Sequence, residues 1–169
     1  MTQLQVRPTA AGAEGPFRVA KACSLDASPR QAVAELRAQL APGPDVVFVF
    51  LASSYDERET AEALWEAFGD AVEACTTSGQ ISKHGLTPQG MSAIALYGVV
   101  SHSRAWVPEL AEVGVHMDEV SESIVELVAP LAADSHTFGF LLCDGLAMAE
   151  EPLIAAVQAG AGHFPIIGG

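Results

Sequence analysis

Three short stretches carry the side chains with the most chemical reach. Cys75-Thr76-Thr77-Ser78-Gly79-Gln80 sets a thiol and three hydroxyls in a row, ahead of a glycine and a carboxamide. Little bulk covers that backbone, and Gly79 permits positive φ, so N–H groups there can face a ligand. The other two stretches are Ser53-Ser54-Tyr55 and Cys143-Asp144-Gly145, each closing an apolar run. Hydroxyls, thiols and few charges suit a small neutral or zwitterionic molecule held by directed hydrogen bonds. The plainer alternative is a turn at each place, because small polar residues and glycine mark turns everywhere.

Catalysis is not expected from these residues. Cys75 as a nucleophile needs a neighbouring base and a lowered pKa. His84, His102, His116, His136 and His163 show no spacing that singles one out as that base. There is no G-x-S-x-G elbow, P-loop or G-x-G-x-x-G. No two histidines, and no histidine and cysteine, have finger-like or H-E-x-x-H spacing, so no metal site is expected.

The elements that must position these residues alternate between strand and helix. Phe17 to Ala22 alternates like a strand, and Val46 to Leu51 is a continuous apolar run of the kind buried on both faces of a sheet. Thr137 to Cys143 is a second such run, so Val46–Leu51 and Phe138–Leu142 are expected to be neighbouring or near-neighbouring central strands. Ser28-Pro29-Arg30-Gln31 starts a helix with Ser28 as cap and Pro29 at the first position. Ser54-Tyr55-Asp56-Glu57 reads as a capping box for a second helix, with Ala61, Leu64, Trp65 and Phe68 on its core stripe. Met91 to Val100 is β-prone, with Arg104 to Val107 as its hairpin partner. Further helices are expected from Asp118 to about Ala129 and from Glu150 to Gly160. The prediction is an α/β fold with a mixed, largely parallel sheet flanked by helices and a β-hairpin around residues 91–107. If the three strands run parallel, the three polar stretches share one rim, where ligands of open α/β sheets bind.

Composition bounds the partners. With 169 residues, half of them hydrophobic, the chain is long enough for one domain with its own core. A formal charge of −13 disfavours nucleic acid and anionic membrane surfaces. Three well-separated cysteines make no disulfide framework, and neither a secretory leader nor a membrane-length apolar run is present. A cytoplasmic protein is expected, with residues 1–16 a flexible segment ahead of a domain spanning 17–169.

The stretch from Cys75 resembles the G-C-T-T-A-G-E-I signature of the FIST (F-box and intracellular signal transduction) N-terminal domain. The strand ending in Ser53-Ser54-Tyr55-Asp56 is similar to that family's strand-then-Ser/Pro-Tyr segment. Pro165-Ile166-Ile167-Gly168-Gly169 resembles its P-V-V-G-G, and the Ser28-Pro29 helix start fits as well. The resemblance covers roughly residues 17–169. Two departures stand out: Glu73-Ala74 before Cys75, and Gln80 where the family has an acid.

The resemblance implies a sensory, signal-transducing domain that binds an amino acid or related metabolite. The expected ligand-binding residues are Ser53, Ser54, Tyr55, Cys75, Thr76, Thr77, Ser78, Gly79, Gln80 and Asp144. The implied partner is a C-terminal FIST domain or a downstream signalling protein, and a chain ending on the family's Gly-Gly reads as cut short. Some FIST-containing proteins are haem-binding nitric oxide sensors, which makes haem the alternative ligand, with no histidine singled out for it. A non-catalytic interaction module is the other alternative.

Overall fold

The computed structural model describes residues 5–9, 16–99, 102–106, 116–131, 137–144 and 148–168. In chain order the elements are β1 (Gln5–Thr9), β2 (Arg18–Ser24), α1 (Pro29–Gln39), β3 (Val46–Ala52), α2 (Glu57–Phe68), β4 (Val72–Thr77), β5 (Gln80–Ser82), β6 (Gly85–Thr87), β7 (Met91–Tyr97), β8 (His102–Trp106), α3 (Met117–Val128), β9 (Gly139–Leu141), α4 (Glu150–Ala161) and β10 (Ile166–Gly168). The fold is α/β with mixed strand pairing, as the sequence predicts. The chain forms two compact units, Ala10–Ser101 and Met1–Thr9 with His102–Gly169.

The first unit is built on a four-stranded sheet in the order β2-β7-β3-β4. β3 and β4 run parallel, whereas β7 is antiparallel to both β3 and β2, so antiparallel pairing predominates rather than the expected parallel. Register explains the burial. Val47, Val49 and Leu51 lie level with Ala95, Ala93 and Met91, and all six are buried in one core with Ala32, Val33 and Leu36 of α1. The alternate residues Phe48, Phe50, Ile94 and Leu96 are only half-buried. The apolar run of β3 therefore alternates in burial instead of being enclosed on both faces. Side chains on a strand point alternately up and down, and the α1–α2 core takes only one set.

Both helices begin with side-chain caps. Ser28 Oγ accepts from Gln31 N–H at 3.4 Å, with Pro29 at the first helical position as predicted. In α2 the cap is Asp56, whose Oδ1 accepts from Glu59 N–H at 2.8 Å, so the helix starts two residues beyond the expected Ser54. Trp65, expected in the core, is 58% exposed, whereas Ala63 and Leu64 are buried. Arg30 of α1 reaches Glu66 at 3.0 Å and Glu62 at 3.5 Å on α2. These exposed pairs add little energy beside the apolar contacts.

The other unit packs α3 on α4 through Val120, Ile124, Leu153, Ala156, Val157 and Ala161. Gly160 lets the two helices approach closely, since a Cβ there would lie 2.4 Å from the Ser121 carbonyl oxygen. β9 and β10 form a parallel pair, and β1 and β8 an antiparallel one. Three expectations change here. Residues 5–9 form a strand instead of fraying. The 91–107 hairpin does not form, because β7 has β2 on one edge and β3 on the other, leaving no edge for β8. β9 is not a neighbour of β3, and Phe138 and Leu142 beside it are 43% and 36% exposed. Val100 and Val107 lie outside the described residues. Among the described residues, no helix is long and apolar enough to cross a membrane.

Candidate functional site

Parallel pairing brings two of the three polar stretches together. Ala52 of β3 lies level with Thr77 of β4, so Ser53-Ser54-Tyr55 and Ser78-Gly79-Gln80 leave the same end of the sheet from adjacent strands. The antiparallel neighbours bring the start of β7 and the end of β2 to that rim, with Leu51 level with Met91 and Met91 level with Ser24. The loops into α1 and α2 both begin there, so the N-termini of these helices share the rim.

Ser53 and Ser54 are exposed in the turn after β3. Tyr55 turns inward and is 7% exposed. Its N–H donates to the Ala52 carbonyl at 3.3 Å, and its Oη donates to the Asp26 carbonyl, tying the loop before α2 to the loop before α1. Burial raises the Tyr55 pKa above its ordinary value, and the Asp26 and Glu35 carboxylates raise it further. Ser24 beside them is also buried, its Oγ donating to Glu35 Oε2 at 2.7 Å. Tyr55 and Ser24 thus have their hydrogen bonds satisfied within the protein.

On the neighbouring strand Thr76 and Ser78 are exposed, and Thr77 Oγ1 donates to the Gly79 carbonyl at 3.1 Å. That bond closes the turn locally, as a threonine hydroxyl does. Gly79 does not adopt the positive φ that glycine permits, and a Cβ there would meet Leu86 and Thr87 only at 3.4 Å. Gln80 opens the β5–β6 hairpin and is 4% exposed, yet among the described residues its Nε2 has no hydrogen-bond partner. Ile81 and Leu86 pair across the hairpin and are both largely exposed. The hairpin is inverted, polar inward and apolar outward.

Cys75 lies level with Phe50, on the strand positions that alternate with the α1–α2 core. Burial raises its pKa, so it is a protonated thiol at neutral pH rather than an activated nucleophile. The third stretch belongs to the other unit and to a different strand pair. Asp144, exposed, follows β9, which pairs with β10 and not with β3 or β4. Cys143 packs against the α3–α4 core.

His84 is exposed in the hairpin turn and His163 is exposed after α4. His116 precedes α3 with Nδ1 3.5 Å from Glu119 Oε1, His102 lies in β8, and His136 is outside the described residues. Among the described residues, no group of three or more His, Cys, Asp or Glu could hold a metal ion. Sequence reasoning missed the buried state of Gln80 and the Ser24–Glu35 and Tyr55–Asp26 ties. In the sequence Gln80-Ile81-Ser82 reads as polar-apolar-polar, which points Ile81 inward, the reverse of what occurs.

Residues 45–169 match the family model described as the FIST N domain. Comparison with curated proteins gives no match, nor does comparison with solved structures.

Proposed function

This chain belongs to the FIST N domain family, whose members are signal-transduction sensory domains, and we propose that it is a cytoplasmic sensor binding a small molecule at the β3–β4 rim. Ligand occupancy is passed to a partner, either a C-terminal FIST domain or a downstream signalling protein. The ligand is an amino acid or a related metabolite. The observation that carries this reading is the parallel register of Ala52 and Thr77, which sets two uncharged, hydroxyl-bearing loops side by side. Carboxyl ends of adjacent parallel strands are where α/β sheets take ligands. Ser53, Ser54, Thr76 and Ser78 are exposed there and available for hydrogen bonding. The raised pKa of Cys75 supports binding over nucleophilic chemistry.

A thermal-shift screen of amino acids, their amides and haem on the full chain tests the reading. A ligand that binds only the native state raises the midpoint by mass action. The expected result is a saturable rise with one metabolite class, lost in Ser78→Ala without a change in the unliganded midpoint. A Soret band with added haem supports the haem sensor instead. No response to any of these leaves an interaction module.

A further inference from the structure

The β3–β4 rim is uncharged between Ser53 and Tyr55 and between Cys75 and Gln80. Among the described residues, Gln80 Nε2 and, one residue into β7, Ser92 Oγ are buried there without a partner, and of the two only the carboxamide lies in a rim stretch. Gln80 is 4% exposed with Nε2 unbonded among the described residues. A buried donor left unpaired is destabilising, so this group favours an acceptor supplied from solution, a ligand group or a water.

What acceptor suits it follows from the charges around the rim. Helix N-termini usually favour anions. The start of α2 is already compensated by the Asp56 cap and by Glu57 and Glu59 in its first turn. The start of α1 is capped by Ser28, with the carboxylates of Asp26 and Glu35 close enough to Tyr55 to raise its pKa. No lysine or arginine lies in either rim stretch. An anion therefore meets negative charge and finds no counter-charge there. A cation can donate to the Gln80 carbonyl oxygen but leaves the buried N–H without an acceptor, so it does not meet the unpaired group.

We infer that the group held against Gln80 is a neutral carbonyl, most favourably a primary carboxamide, which accepts from the Gln80 amide N–H and donates back to its carbonyl oxygen. This rests on the reading of the same rim as a ligand site and narrows its ligand class. Two amides meeting edge to edge satisfy a donor and an acceptor on each side, with no charge to desolvate.

The test uses three probes of one shape, benzamide, benzoate and benzylammonium, titrated into the 15N-labelled full chain. The Gln80 side-chain NH2 resonances are assigned by their loss in Gln80→Glu. Benzamide is expected to move those resonances and the backbone peaks of Thr77 and Ser78 saturably. The charged probes are expected to bind about tenfold or more weakly, the effect of one mismatched hydrogen bond. Gln80→Glu is expected to reverse the order in favour of benzylammonium, because a carboxylate accepts but does not donate. If Gln80→Glu does not fold, Gln80→Met must lose benzamide binding without gaining a preference for either charge. A charged probe preferred by the unaltered protein, or benzamide binding unchanged in Gln80→Met, overturns the inference and leaves the rim as a ligand site. Rim peaks unmoved by all three probes overturn the inference, and the thermal-shift screen of amino acids then decides the reading of the rim as a ligand site.

Discussion

Gln80 and Ile81 are adjacent in β5 and face opposite ways, Gln80 4% exposed and Ile81 84% exposed. Strand pleating requires opposite faces but not this choice of face. A one-residue shift of the hairpin register would bury Ile81 and release the carboxamide to water. Burying an isoleucine is worth about 1.5–3 kcal/mol. Burying an unpaired amide is destabilising by a similar amount. The hairpin gives up both, which is the pattern expected where a local preference yields to a binding role.

Replacing Gln80 with methionine is expected to stabilise the unliganded protein by about 1–3 kcal/mol, since the side chain keeps its length and loses the unpaired donor. Urea unfolding of the two proteins measures the difference. A destabilised Gln80→Met variant instead shows that the amide is bonded in solution.

Tyr55→Phe removes the bond to the Asp26 carbonyl and is expected to cost about 0.5–1.5 kcal/mol at neutral pH. The raised pKa of Tyr55, caused first by burial and then by Asp26 and Glu35, fixes the pH dependence. The tyrosine contribution is complete below its ordinary pKa of 10.0. Above that pH the unfolded chain releases its phenolic proton while the folded state retains it, so stability falls as pH climbs towards the folded pKa. Tyr55→Phe lacks this term and is expected to lose less stability than the unaltered protein above pH 10.0. Equal alkaline slopes in denaturant titrations contradict the assignment.

Cys75 is expected to react with iodoacetamide more slowly in the folded protein than in the unfolded chain at neutral pH. Only thiolate attacks, and burial holds Cys75 protonated. Labelling followed by peptide mass mapping reads the rate at Cys75 separately from Cys23 and Cys143. A folded Cys75 that outpaces the denatured chain indicates an activated thiol and reopens the question of catalysis.

How far the sequence could be read differs between elements for physical reasons. Helix starts are local events, so Ser28-Pro29 and the span of α4 were visible in short windows. Strand partners are not local. The β-prone segment from Met91 reads as half of a hairpin, yet its partners lie 40 to 50 residues earlier in β3 and 67 to 79 residues earlier in β2. Trp65 fits a helical stripe by spacing alone, but the buried face of α2 is set by where α1 lies, and Thr60, Ala63 and Leu64 face it instead. The two rim loops were legible as polar strand ends. Asp144 resembles them only in composition, which carries no information on sheet membership.

Core position separates two further substitutions. Leu36→Ala, at a fully buried site of α1, is expected to cost about 2–5 kcal/mol. Phe50 is only half-buried on the alternate positions of β3, so Phe50→Ala is expected to cost less than Leu36→Ala despite removing more atoms. Midpoints in the reverse order contradict the burial pattern of the sheet.

Gly79 and Gly90 give the sharpest contrast at the rim. Gly79 lacks positive φ, and an added Cβ meets its nearest neighbours at 3.4 Å, an ordinary contact. Gly79→Ala is therefore expected to be neutral or stabilising by up to about 1 kcal/mol, through the reduced freedom of the unfolded chain. Gly90 has φ +94, and a Cβ there would lie 2.3 Å from the Ser24 carbonyl oxygen. Its own carbonyl accepts from Ala52 N–H at 3.0 Å, so it also holds the end of β3 where Ser53 begins. Gly90→Ala is expected to be destabilising by more than the benefit at Gly79, because the strained φ and the backbone clash act together. Shifting that backbone also moves the β3 side of the rim, so Gly90→Ala is expected to weaken ligand binding and Gly79→Ala to leave it intact. Paired unfolding and titration measurements on the two variants decide the matter, and equal effects of the two alanines contradict the backbone geometry assigned to the rim.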